Sequence, residues 1–171
     1  MSVHHAFKPT LFAAGLFALA ACNPRPAAAP DAAVPTEAEA AAIVDASEAT
    51  WTSSDTVKIM AAYKAGGVWF DSVAVAPTAD RATQRKWTEG FSAMKLTDKS
   101  IAAKNVQVLD ADTIVASGIA TLKGGAEADP VTFRYSDVYE KQADGKWLIV
   151  HEHLSATPAA PADEPASQPA A

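Results

Sequence analysis

Cysteine is almost missing from the 171-residue chain: Cys22 is the only one, so no disulfide can form within it. Positive charge is also short, with 14 Lys and Arg against 20 Asp and Glu, and the basic residues do not cluster. Phosphate backbones are bound by such clusters, so nucleic acid is excluded as a partner. Of four histidines, His4 and His5 precede the first apolar run and only His151 and His153 remain for a folded domain. No phosphate-cradling glycine loop, nucleophile elbow, zinc-protease helix or dinucleotide fingerprint occurs, and no cofactor is expected. The apolar stretch from Thr10 to Ala20 falls short of the ~20 residues that a spanning helix needs.

Lys8, that short apolar stretch and the small residues after it have the layout of a secretory signal over residues 1–21. Its end, Leu19-Ala20-Ala21-Cys22, resembles the bacterial lipobox, which implies that Cys22 is acylated and becomes the new N-terminus. Asn23 in place of an aspartate implies, by the same resemblance, sorting to the outer membrane, with the protein on its periplasmic face. An ordinary signal that happens to end beside a cysteine is the other reading. Residues 22–35 and 156–171 are rich in proline and alanine, which cannot bury enough surface to offset the entropy of ordering. They are expected to be a tether and a disordered tail around one domain, residues 36–155.

That domain opens on Thr36-Glu37-Ala38-Glu39, a capping-box pattern, followed by Ala40, Ile43, Val44 and Trp51 on one helical face with Ser47 interrupting it. Asp55 is placed to cap a second short helix that buries Val57, Met60 and Tyr63 and is stopped by Gly66-Gly67. Val68 to Asp71 reads as a strand. Asp80 to Met94 reads as a third helix with Trp87 and Phe91 on its inner side. Beyond Leu96 the period changes to two, giving strands near 99–109, 112–123, 130–142 and 146–154. Three helices before a strand meander predict an α+β domain: a cone-shaped, curved antiparallel sheet packed against three N-terminal helices.

The closing segment holds Asp144-Gly145-Lys146-Trp147 and then His151-Glu152-His153-Leu154-Ser155. With this order of elements, residues 37–155 resemble the SnoaL-like members of the nuclear-transport-factor-2-like superfamily, of cystatin-like shape. The hairpin is also similar to the end of the association domain of calcium/calmodulin-dependent kinases. The resemblance implies a cavity inside the cone and a homodimer formed through the exposed sheet face. It implies no single activity, because the superfamily holds isomerases, cyclases, dehydratases and hub domains. Where the kinase hub has a pocket arginine, before Val138, this chain has Asp137.

Along the strand from Val131 every second residue reads Val131, Phe133, Tyr135, Asp137, Tyr139, a carboxylate set in an aromatic stripe. Desolvated there, Asp137 would stay protonated and act as a hydrogen-bond donor; at a rim it would be solvated or paired with Arg134. Asp71 ends an apolar run in the same way, and a solvated strand-end turn is its alternative. Ketosteroid isomerase, of the same superfamily, uses a strand-end aspartate as base and a second aspartate to bind the enolate. Asp71 and Asp137 fall near those places, while the tyrosine that isomerase carries on its first helix falls near Ser47. His151 and His153 could chelate a metal jointly, but no third histidine or free cysteine completes a shell, and no metal is expected. The expected pocket residues are Tyr63, Trp69, Asp71, Tyr135, Asp137, His151 and His153. The expected occupant is a small apolar or carbonyl-bearing molecule. An isomerase or hydratase using Asp71 as base, and a dimeric structural module, are the alternatives.

Overall fold

The computed structural model describes residues 33–124 and 129–158. The signal, Cys22, most of the tether and the tail beyond residue 158 lie outside the described residues. Helix α1 spans Glu37–Glu48 and runs into a 3-10 turn, Ala49–Thr52. Its start is the expected capping box: the Glu39 amide donates to Thr36 Oγ1 at 3.3 Å and the Thr36 amide to Glu39 Oε2 at 2.8 Å. Helix α2 (Thr56–Met60) is capped by Asp55, which accepts from the Val57 and Lys58 amides. It ends sooner than its apolar residues suggest, so Ile59 and Met60 are buried while Val57 is 66% exposed. Arg81 closes it by donating to the Met60 carbonyl at 2.9 Å.

Strand β1 therefore begins at Tyr63 and runs through Phe70, with Gly66-Gly67 inside it rather than stopping a helix. Gly66 sits at φ +81, which lets the strand bulge. A Cβ on Gly67 would lie 3.0 Å from the Val150 carbonyl and 3.1 Å from that of Lys64, so any larger residue would press on backbone there. The Gly67 carbonyl, freed by the bulge, accepts from Gln84 Nε2 at 2.8 Å. Gln84 belongs to helix α3 (Arg81–Ala93), whose buried stripe is polar: Gln84, Thr88 and Ser92. Thr88 and Ser92 each donate to the carbonyl four residues back, so that stripe is satisfied locally. Trp87 and Phe91, expected innermost, are half-buried beside it.

Strands β2 (Asp98–Val108), β3 (Thr113–Lys123), β4 (Val131–Lys141) and β5 (Trp147–Ala156) form the expected antiparallel meander. The sheet order is β1-β5-β4-β3-β2. One pairing departs from expectation: β1 lies parallel to β5, so the sheet is mixed. Parallel strands need a long crossover, and everything from α3 to β4 supplies it. The inner face carries Ile114, Ala116, Ala120, Leu122, Tyr135, Tyr139 and Ile149, and with Ala40, Val44 and Trp51 from the helical side these form one core.

Candidate functional site

Alternation along β4 places Phe133, Tyr135, Asp137 and Tyr139 inward, as their period of two requires, and all four are buried. The pattern fails on β5. Tyr139 pairs with Ile149 but Val138 pairs with His151, so Val150 is an extra residue, and from there even-numbered side chains face the core. His151 and His153 are thus turned to the outer face and exposed, which removes both from the expected pocket and from any inward metal site. His153 stacks on Phe70, with ring centroids 5.1 Å apart. Among the described residues no group of three or more metal-ligating side chains occurs.

The same bulge brings Glu152 inside, directly opposite Asp137 and beside Trp69 in register. A hollow of about 60 Å³ opens between the sheet, α2 and α3. Trp51, Trp69, Trp87, Phe91 and Phe133 give it aromatic walls, and Tyr63, Asp71 and Glu152 its polar groups. Tyr63, Trp69 and Asp71 are therefore together, as expected from the sequence. Glu152 is buried and marks the deep end; Asp71 is half-buried at the outer end, where Oδ1 accepts from the Val73 amide at 3.0 Å. The Tyr63 hydroxyl donates to Glu152 Oε2 at 2.6 Å, and its ring lies 4.2 Å from that of Trp69. Trp69 Nε1 is buried without a hydrogen-bond partner among the described residues.

Tyr135 and Asp137 do not line the hollow; they lie in the core behind it. The Tyr135 hydroxyl donates to Glu48 Oε1 at 2.7 Å. It reaches α1 because its ring lies across Gly118 on β3, where a Cβ would come within 2.8 Å of the ring. Glu48, 1% exposed, also takes Lys104 at 2.8 Å, with Lys99 at 3.9 Å and Asp45 on the far side of Lys104. A bulge in β2, with Ala103 at φ 51 and two residues opposite Gly118, lets Lys104 reach inward. Asp137 is fully buried: Tyr139 donates to Oδ2 at 3.4 Å, and Oδ1 has no partner among the described residues.

These positions set the ionisation. Burial, then the charges of Glu152 and Glu48, push the Asp137 carboxyl far above the carboxylate range, so it is a neutral acid near pH 7. Burial and then Asp71 raise Glu152 to about 7, against the Tyr63 hydrogen bond, which lowers it. Burial first, then neighbouring carboxylates, hold the hydroxyls of Tyr63, Tyr135 and Tyr139 well above their ordinary value, so they remain donors. Glu152 in the hollow and Glu48 in the core behind it are the buried acids the sequence reading missed, and Trp51, Trp87, Phe91 and Phe133 line the hollow without having been among the expected pocket residues. Glu48 was discoverable, since it continues the helical stripe of Ala40 and Val44 at four-residue steps. Glu152 was hidden by an unpaired residue in β5 that leaves no mark in composition or periodicity.

The family model for the calcium/calmodulin dependent protein kinase II association domain matches residues 37–158. A Xanthomonas campestris structure described as such an association domain is 33% identical, covers 77% of this chain and 97% of its own, and superposes with a TM-score of 0.64. An NTF2-like protein of unknown function from Pseudomonas putida KT2440 is 22% identical at TM-score 0.61, covering 73% of this chain and 90% of its own. A structure from Parabacteroides distasonis described as a ketosteroid isomerase is 16% identical at TM-score 0.59, with 67% and 85% covered. The last two share the nuclear-transport-factor-2-like α+β fold with this chain. No curated protein matches the sequence.

Proposed function

Because the chain belongs to the calcium/calmodulin-dependent protein kinase II association domain family, we propose that it is a self-associating domain that holds a small molecule in its cone and is tethered to a membrane through acylated Cys22. One observation carries the ligand reading: an aromatic hollow ends on a buried Tyr63–Glu152 pair, polar groups placed where a core of this kind would otherwise be closed with carbon. The walls favour a compact, largely apolar body, which agrees with the apolar or carbonyl-bearing occupant expected from the sequence. Assembly is supported by the family's association character and by the outer sheet face. There Val68 and Val138 flank His151, Val115 continues the same row across the strands, and Phe70 and His153 begin the next. A second copy laid on this face gives the homodimer. The lipobox-like segment before Cys22 supports the anchor and a place on the periplasmic side of an outer membrane.

Native mass spectrometry of the full-length chain in detergent tests these points together. The expected result is a dimer whose mass carries acyl chains lost in Cys22→Ala, with a small molecule retained. A bare monomer would overturn the proposal.

The second reading, an isomerase or hydratase, is favoured by the shared placement of Asp71 and Glu152 on the hollow. In it Asp71 is the base, and Glu152 takes the donor role first given to Asp137. Asp71→Asn is then expected to abolish turnover of a screened carbonyl substrate, and unchanged turnover would remove this reading.

A further inference from the structure

The hollow has walls of one kind and charge of one sign. Trp51, Trp69, Trp87, Phe91 and Phe133 surround it, two carboxyl groups enter it, and among the described residues no lysine, arginine or histidine lines it. The nearest buried acid with cationic partners is Glu48, and it keeps them: Lys104 lies between it and Asp45, and Lys99 stays on its side. Glu152 has no such compensation. It is 7% exposed, it lines the hollow, and only the Tyr63 hydroxyl bonds it among the described residues.

Three kinds of occupant can be weighed against this. An anion would be repelled by both carboxylates. A neutral apolar molecule would leave the Glu152 carboxyl desolvated without a further partner, which costs free energy. A cation would gain from both the carboxylates and the aromatic rings, whose faces carry negative quadrupole charge and attract a desolvated cation.

We propose that the hollow is a receptor for a small organic ammonium ion, its N-methyl or N–H groups set against the indole and phenyl rings and its charge met by Glu152 and Asp71. Size narrows the class. A hollow of about 60 Å³ limits the occupant to a compact body. A methylated ammonium fits that limit and a steroid does not. The inference rests on the reading of the hollow as a small-molecule site.

The test uses the full-length chain in detergent, titrated with tetramethylammonium chloride and, separately, with tert-butanol, a neutral body of nearly the same size. Sodium chloride matches ionic strength, and tryptophan fluorescence is the readout, since Trp51, Trp69 and Trp87 line the hollow. The expected result is saturable binding of tetramethylammonium, weakened about tenfold or more in Glu152→Gln, with no saturation by tert-butanol. Asp71→Asn, at a half-exposed position whose turn an asparagine can keep, is expected to weaken binding by a smaller factor and serves if the Glu152 variant fails to fold. Equal binding of the two probes overturns the cation inference and leaves the small-molecule reading standing. Saturation by neither overturns both.

Discussion

Two carboxyl groups face each other across β4 and β5, and near pH 7 Asp137 keeps its proton while Glu152 titrates. Glu152, at about 7 in the folded chain, titrates near 4.5 when unfolded, and Asp137 is displaced in the same direction. The folded state holds protons that the unfolded chain releases, so stability falls as pH rises from about 4.5 to about 7 through Glu152, and the still-protonated Asp137 continues the fall beyond it. For Glu152 alone the loss is on the order of 3 kcal/mol. Urea midpoints measured from about pH 5 to about pH 8 should decline for the natural chain and decline less for Glu152→Gln, which is expected to be the more stable of the two at the alkaline end. A flat profile would contradict the burial of an uncompensated pair. The Tyr135–Glu48 bond makes a second residue-scale prediction. Tyr135→Phe should cost about 1–3 kcal/mol by leaving a buried carboxylate short of a donor. Gly118→Ala should cost a similar amount by displacing the same ring. Because both act through one hydroxyl, their effects should fall well short of adding in a double-mutant cycle followed by thermal unfolding.

The elements of this domain were legible where a local rule decides them. Thr36, Asp55 and Asp80 mark three helix starts because a capping side chain satisfies amides within its own turn. The four meander strands follow from their turns. Bulges were not legible, because the residue inserted at Val150 or at Ala103 is an ordinary strand former whose effect appears only in the pairing with a neighbour. One unpaired residue therefore exchanged two expected pocket histidines for an unexpected acid. Deleting Val150 should remove only the inserted residue, leaving His151 opposite Val138 on the outer face and Glu152 opposite Asp137 inside. Its expected signature is a tryptophan-fluorescence response to ligand that survives the deletion. Gly67→Ala, which sets a methyl group against two fixed carbonyls, should destabilise by about 1–3 kcal/mol with no local relief.

At the scale of the whole molecule, the α+β architecture and the family resemblance were visible in the order of elements and in the closing hairpin. The parallel edge was not, since nothing in a strand's own residues says which partner it will take. The outer face belongs to this scale too. Val138 lies between His151 and Val115 there, and Val138→Glu should leave the fold intact while raising the dissociation constant of the proposed dimer by about a hundredfold or more, measured by sedimentation. The edge pairing also bears on how the domain comes into being. Tyr63 finds its partner only at Ile149, so the first strand made must wait for the last. A growing chain that has not yet delivered Trp147 onward can assemble its hairpins but has neither the seam that shuts the sheet nor the acid that faces Asp137. Contacts so distant in sequence make folding slow and place it after synthesis is complete, and a chain cut short before β5 should collapse without maturing.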